Sequence, residues 1–130
     1  MELKSNKNII YNCQYHVVWC VKYRRKVLIG DVEARLKEIL AQVVVDVRCE
    51  LDEMETDKDH VHLLISCDPQ FGIHRVVKRM KGRSSKLLRD EFPALKSRIP
   101  TLWTNSYFVA TVGGAPLAVI KQYIKDQQLV

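Results

Sequence analysis

Apolar and polar positions change period several times along the chain, and each change marks an element. Residues 10–23 alternate: Tyr11, Cys13, Tyr15, Val17, Trp19 and Val21 share one parity, while Asn12, Gln14, His16 and Lys22 share the other. A period of two is that of a strand with one buried and one wetter face. Gly30 and Asp31 then open a helix, with Asp31 as the expected N-cap. Within it Val32, Leu36, Ile39, Leu40, Val43, Val44 and Val47 recur at helical spacing. Residues 49–56 read as a second, acidic strand, and residues 57–59 as a turn. Residues 60–67 form a third strand, with Val61, Leu63, Ile65 and Cys67 on the core face and His60, His62, Leu64 and Ser66 on the other. Two strands about so short a turn make a hairpin. A second helix is expected over residues 72–90, with Ile73, Val76, Val77, Met80, Leu87 and Leu88 as its apolar stripe. Pro93 and Pro100 mark a loop, residues 103–112 a fourth strand, and Gly113 and Gly114 break it. A last helix is expected over residues 115–128, with Pro116 near its first turn. The first eight residues are polar and expected to be loose.

The order β-α-β-β-α-β-α begins with the split βαβ pattern of a ferredoxin-like α+β fold. Two helices would cover one face of an antiparallel sheet. The extra C-terminal helix would pack on the open face. A chain of 130 residues that is 47% hydrophobic fits a single domain with one core. No apolar run is long enough to span a bilayer and none near the start reads as a signal peptide, so a cytoplasmic location is expected.

Charge changes the picture more than length does. Lys plus Arg number 21 and Asp plus Glu 15, a net charge of +6. The excess is concentrated. Seven basic residues and no acid fall between Arg75 and Arg89, and Lys22, Arg24, Arg25 and Lys26 add a second cluster. From Asp46 to Asp59 the sign reverses, with seven acids against Arg48 and Lys58. One basic side suits phosphates, with strongly salt-dependent binding, although a basic helix can also be a solvated face. Cys13, Cys20, Cys49 and Cys67 form no CxxC pair and lie in apolar, strand-like stretches. They read as small buried hydrophobes and argue against a zinc knuckle.

His60-Val61-His62 sits in the third strand. Residues i and i+2 of a strand share a face, roughly 6.6 Å apart along the chain. Two imidazoles there can converge on one metal ion, though the same pattern also serves as a polar strand face. Tyr123 and Gln127 share one face of the last helix, while Leu117, Val119, Ile120 and Ile124 supply its packing. A tyrosine in that position can also be amphipathic filler with its hydroxyl in water. Taken together, the histidines, the tyrosine and amide, and a nearby basic helix compose a phosphoryl-transfer site. A metal at the histidines would polarise a phosphate oxygen. Gln127 could supply an oxygen as third ligand, and Tyr123 would attack phosphorus to form a phosphotyrosine. Exchanging one ester for another suits joining chemistry. Two nitrogens with one oxygen favour Mn²⁺ on ligand softness, with Mg²⁺ the alternative.

Four segments carry a resemblance: Tyr15-His16-Val17-Val18-Trp19-Cys20-Val21-Lys22-Tyr23-Arg24, Asp59-His60-Val61-His62-Leu63-Leu64, Leu102-Trp103-Thr104-Asn105-Ser106-Tyr107, and Tyr123-Ile124-Lys125-Asp126-Gln127. In this order and at this length the chain resembles the single-tyrosine HUH transposases, the IS200-like family of small insertion sequences with stem-loop ends. The resemblance spans about residues 10–127. It implies a ferredoxin-like fold and an obligate homodimer. It implies Mg²⁺ or Mn²⁺ on His60, His62 and Gln127, and a 5′-phosphotyrosine on Tyr123. It implies single-stranded substrates recognised through a subterminal DNA hairpin. It divides the domain into a core over about 10–112, a hinge at Gly113 and Gly114, and a catalytic helix over 115–128. That helix could complete the active site of the other subunit. By charge and position, Lys78, Arg79, Lys81, Arg83 and Lys86 are the candidate DNA contacts, followed by Arg24, Arg25 and Lys26. Asp57 or Asp59 could pair with a histidine. His16 and His74 are read as structural.

Three rivals remain. An HUH replication initiator or relaxase would share the chemistry but is generally longer. An RRM-like nucleic-acid-binding module predicts aromatics on a central strand, and residues 60–65 have none. A phosphoesterase with paired histidine motifs needs a second HxT or HxS, and His16-Val17-Val18 and His74-Arg75-Val76 supply neither.

Overall fold

The computed structural model describes residues 3–112 and 117–130. Strands β1 (Lys4–Ser5) and β2 (Ile10–Tyr11) pair as a small antiparallel ribbon, so Lys4 and Ser5, within the stretch expected to be loose, are held in place. Asn6 builds its turn: the side-chain oxygen accepts from the Asn8 and Ile9 amides at 2.7 and 2.8 Å. The alternating stretch 10–23 is therefore divided. Its main strand is β3 (Gln14–Cys20), followed by a 3₁₀ turn at Lys22–Arg24.

Helix α1 (Gly30–Asp46) follows, then β4 (Cys49–Thr56), β5 (His60–Cys67), α2 (Ile73–Glu91), α3 (Pro93–Arg98), β6 (Phe108–Thr111) and α4 (Leu117–Asp126). Asp31 is not the N-cap of α1. Ile29 holds that position without a side-chain cap, and Asp31 lies in the first turn, where its charge favours the helix dipole. The segment after α2 is not a plain loop, because Pro93 starts the short α3 from a first-turn position where a missing N–H costs nothing. The fourth strand is shorter than expected. Trp103 makes only an isolated bridge to Val21, and pairing resumes at Phe108. Gly113 and Gly114, the expected hinge, lie outside the described residues, as do Ala115 and Pro116.

The main sheet is antiparallel with order β4-β5-β3-β6, the ferredoxin-like arrangement. Val17, Trp19 and Val21 join Val61, Leu63 and Ile65 on its core face, all fully buried. Leu36, Ile39, Leu40 and Val43 of α1 and Val76, Val77, Met80 and Leu88 of α2 close over them. The helical and strand periodicities meet in this one core.

The opposite face is also covered. Val18 and Cys20 have the wet-face parity yet are fully buried. Helix α4 packs against β3, and its Ile120 is buried as well. The extra helix thus occupies the face that α1 and α2 leave open. Among the described residues no helix is long and apolar enough to cross a membrane.

Candidate active site

Strand register decides what surrounds the histidines. On antiparallel strands, residues directly opposite one another share a face. His60 lies opposite Cys20, and His62 lies between Val18 of β3 and Glu55 of β4. Val18 in turn faces Phe108. A row Glu55-His62-Val18-Phe108 therefore crosses all four strands on the α4 side. Val61, between the histidines, is fully buried on the other side.

His60 is held by a carboxylate. Its Nδ1 is 2.8 Å from Asp59 Oδ1, and Asp59 is only 6% exposed. A carboxylate only accepts, so Nδ1 carries a proton and Nε2 is the ring nitrogen left to face an ion. The other Asp59 oxygen accepts from Arg24 Nε and Nη2, both at 3.0 Å. Arg24 reaches it from a turn in which Tyr23 and Arg24 are both left-handed, with φ of 57° and 50°. Such conformations cost about 1 kcal/mol or more per non-glycine residue. Tertiary bonds hold this turn: Val21 N–H donates to Asp59 O at 2.9 Å and Lys22 N–H to Leu102 O at 2.8 Å.

His62 meets a third histidine. Its Nε2 is 3.2 Å from His16 Nδ1, with ring centroids 5.4 Å apart. One ring must donate and the other accept. Burial, and then His16, push the His62 imidazole below its ordinary value, with Glu55 opposing. His62 is therefore favoured as a neutral nitrogen donor.

Tyr123 lies on the covered part of the open face. Its ring stands edge-on to Phe108 at 5.5 Å and 86°. Its hydroxyl is 2.9 Å from Ser106 Oγ, and Ser106 Oγ donates to Gln127 Oε1 at 3.2 Å. Burial pushes the phenol above its ordinary value, and the Ser106 hydrogen bond opposes that. Gln127 begins a 3₁₀ turn, Gln127–Leu129, that extends α4. Just beyond it, Val130 O accepts from Tyr23 N–H at 3.0 Å. The end of the tyrosine helix thus rests on the turn that supplies Arg24.

The expected site residues fall into two groups. His60 and His62 share a face with His16, while Tyr123 and Gln127 share Ser106. Among the described residues no set of three His, Cys, Asp or Glu side chains is arranged to hold a metal ion. The Gln127 amide oxygen faces Ser106.

The basic residues divide too. Lys78 and Arg79 are exposed on α2, as are Arg25 and Lys26 after the turn. Arg83 pairs loosely with Asp46 at 3.3 Å and Lys86 with Asp90 at 3.2 Å. An open groove of about 820 Å³ lies between Gln42 of α1 and Arg75, Arg79, Arg83 and Lys86 of α2. Arg24 and Lys81 differ from this set. Arg24 is tied to Asp59, and Lys81 donates to the carbonyls of Thr104, Asn105 and Ser106 at 2.7, 3.4 and 2.9 Å. Beside the basic helix His74 stacks on Tyr107, with Nδ1 2.9 Å from the phenol oxygen.

Sequence reasoning read His16 as structural and gave Ser106 no role. His16 had a signal, since its parity and the adjacency of first and third strands place it beside His62. Ser106 lay within the expected strand 103–112 and within one of the four resembling segments, but nothing there paired its hydroxyl with Tyr123, and in the structure it lies outside any strand.

A family model described as "Transposase IS200 like" matches residues 9–127. The ISDra2 transposase TnpA of Deinococcus radiodurans is 40% identical over 129 residues, covering 98% of this chain and 92% of the relative. The transposase of insertion sequence element IS200 from Salmonella typhimurium is 32% identical over 126 residues, covering 95% and 82%. A crystal structure of a Deinococcus radiodurans R1 protein described as a transposase superposes with a TM-score of 0.88 at 37% identity, covering 98% of this chain and 99% of that one. A REP-associated tyrosine transposase bound to a REP hairpin gives a TM-score of 0.59 at 11% identity, covering 93% and 67%, a likeness of fold alone.

Proposed function

The chain belongs to the IS200-like transposase family, and from that premise we propose that it cleaves and rejoins single-stranded DNA at insertion-sequence ends through Tyr123. The observation that carries this reading is the packing of the Tyr123 helix on the sheet face that bears His60 and His62. The Tyr123 oxygen attacks the scissile phosphorus. The bond to the leaving 3′ oxygen breaks, that oxygen takes up a proton, and the 5′-phosphate stays on the tyrosine. Attack by another 3′-hydroxyl on the phosphotyrosine reverses these steps and joins the strands.

His60 and His62 suit a divalent cation, Mg²⁺ or Mn²⁺. Asp59 engages His60 Nδ1 and so leaves Nε2 to face the ion, and His62 is favoured neutral. His62 Nε2 would exchange its His16 contact for the ion, and Gln127 Oε1 is the proposed third donor. When bound, the cation would polarise a phosphate oxygen and offset developing charge.

Lys78, Arg79, Arg83 and Lys86 are the proposed phosphate contacts on α2, with Arg25 and Lys26 beyond them. Arg24 and Lys81 leave that set because their donors are engaged within the protein. The His74–Tyr107 stack offers an aromatic surface for an unpaired base. The substrate is proposed to carry a subterminal hairpin, and the working unit to be a homodimer whose tyrosine helices, hinged at Gly113 and Gly114, serve the partner's histidines. The cytoplasm is the proposed site of action.

The test is a labelled single strand carrying the element's end, incubated with Mn²⁺ or Mg²⁺. A protein–DNA adduct that survives denaturation is expected, and Tyr123→Phe is expected to abolish it while retaining DNA binding. An adduct formed by the Phe variant would remove Tyr123 from the role.

A further inference from the structure

We infer that Ser106 is a positioning residue for the nucleophile and that Lys81, on the basic helix, is the strut that sets it. The inference rests on the reading of Tyr123 as nucleophile.

Ser106 has one hydroxyl proton and two partners. Gln127 Oε1 only accepts, so the Ser106 proton goes to it at 3.2 Å. The Ser106 oxygen, 2.9 Å from the phenol, is then left to accept the Tyr123 hydroxyl proton. This ordering turns the Tyr123 O–H toward Ser106 and its lone pairs away from Ser106. It also joins Tyr123 of α4 and Gln127 of the turn that extends it through one side chain of another segment.

Ser106 lies on an exposed segment outside helix and strand, so something must fix its direction. Lys81 does so. Its three ammonium protons match three successive carbonyls, Thr104, Asn105 and Ser106. Without a cation these carbonyls would crowd their partial charges around one point. Thr104 anchors the same segment to the sheet through its N–H on Cys20 O at 3.0 Å. No carboxylate pairs with Lys81 among the described residues. Burial pushes its ammonium down to about 8, which is consistent with a group enclosed by the fold. A lysine that reads from its sequence neighbours as a phosphate contact thus has its donors turned inward.

The experiment separates rate from binding. Adduct formation is timed at saturating single-stranded hairpin DNA with Mn²⁺, and DNA affinity is measured by anisotropy across a salt series. Ser106→Ala is expected to slow adduct formation roughly ten- to hundredfold at unchanged affinity. Ser106→Thr, which keeps the hydroxyl, is expected to recover most of the rate. Lys81→Met is expected to slow the same step with unchanged affinity and salt slope. The double variant should be no slower than the worse single, because both act on one segment. An unaltered rate in Ser106→Ala overturns the role of Ser106. A weaker, less salt-dependent binding in Lys81→Met at normal rate makes Lys81 a phosphate contact and overturns its role as strut. If Lys81→Met does not fold, the Ser106 pair decides alone.

A readout without turnover distinguishes this inference from the nicking reading. Phenolate absorbance, referenced to Tyr123→Phe, should show the ionisation of Tyr123 displaced in Ser106→Ala, because the hydroxyl proton loses its partner. Unmoved ionisation overturns the inference. Absence of any adduct from the wild-type chain overturns the nicking reading instead.

Discussion

Asp59 joins two residues that look unrelated in sequence. One oxygen holds His60 Nδ1 and the other holds Arg24, with the carboxylate almost wholly buried. Asp59→Asn keeps an acceptor but loses the charge that fixes both partners. It is expected to lower Mn²⁺ affinity about 10- to 100-fold by calorimetry, as for other groups that orient a ligating histidine. Unchanged affinity would mean that His60 needs no such orientation or is not a ligand. Arg24→Ala leaves the carboxylate without its cation and is expected to cost on the order of 2 kcal/mol in denaturant unfolding.

Lys81 gives a pH signature at the same scale. Its ammonium is pushed from 10.5 down to about 8. Between those values the unfolded chain binds more protons at this position than the folded one, so stability at this position rises with pH. The contribution is present above 10.5 and is lost as pH falls through about 8. The stability of the wild type minus that of Lys81→Met is therefore expected to rise across this window. Taking the difference cancels the buried thiols of Cys49 and Cys67, whose raised values act in the opposite direction. A flat difference would contradict the burial of the charge.

Elements differ in how far the sequence revealed them. The parity of residues 60–67 placed His60 and His62 on one face because β5 is flanked on both sides and its core face is uniformly apolar. The stretch 103–112 misled because Trp103 is a core residue without belonging to a ladder. Its indole packs edge-on against Trp19 and donates to Ser84, so its burial comes from tertiary packing. Arg24 and Lys81 were legible as charges but not as struts, since their partners lie 35 and 23–25 residues away. Helix α4 raises a further point at this scale. Ten residues are too few for a stable helix in water, so its order depends on what it rests upon. Phe108 is one such support. Phe108→Ala is expected to lower the hydrogen-exchange protection of α4 by about 1 kcal/mol while leaving α1 and α2 unchanged. Equal loss across all helices would mean that Phe108 supports the core, not the docking.

At the scale of the molecule, the tyrosine helix is docked on its own chain through Phe108, Ser106, the Tyr23–Val130 bond and the buried Ile120. The Ser106 contact is exposed, and each of these contacts can be made again after release. The homodimer reading requires the helix to serve the partner's histidines, and mixing tests it directly. Tyr123→Phe retains the histidines and loses the nucleophile, while His62→Ala does the converse. Each variant alone is expected to form no adduct. If both exchange subunits freely, half of the dimers are mixed and each carries one complete shared site. Mixing is then expected to restore about a quarter of the wild-type adduct, with the DNA joined only to the His62→Ala subunit. If every helix instead works where it is docked here, no mixed dimer contains a complete site. Mixing then restores nothing, and Ser106 would lie beside the working tyrosine throughout the reaction.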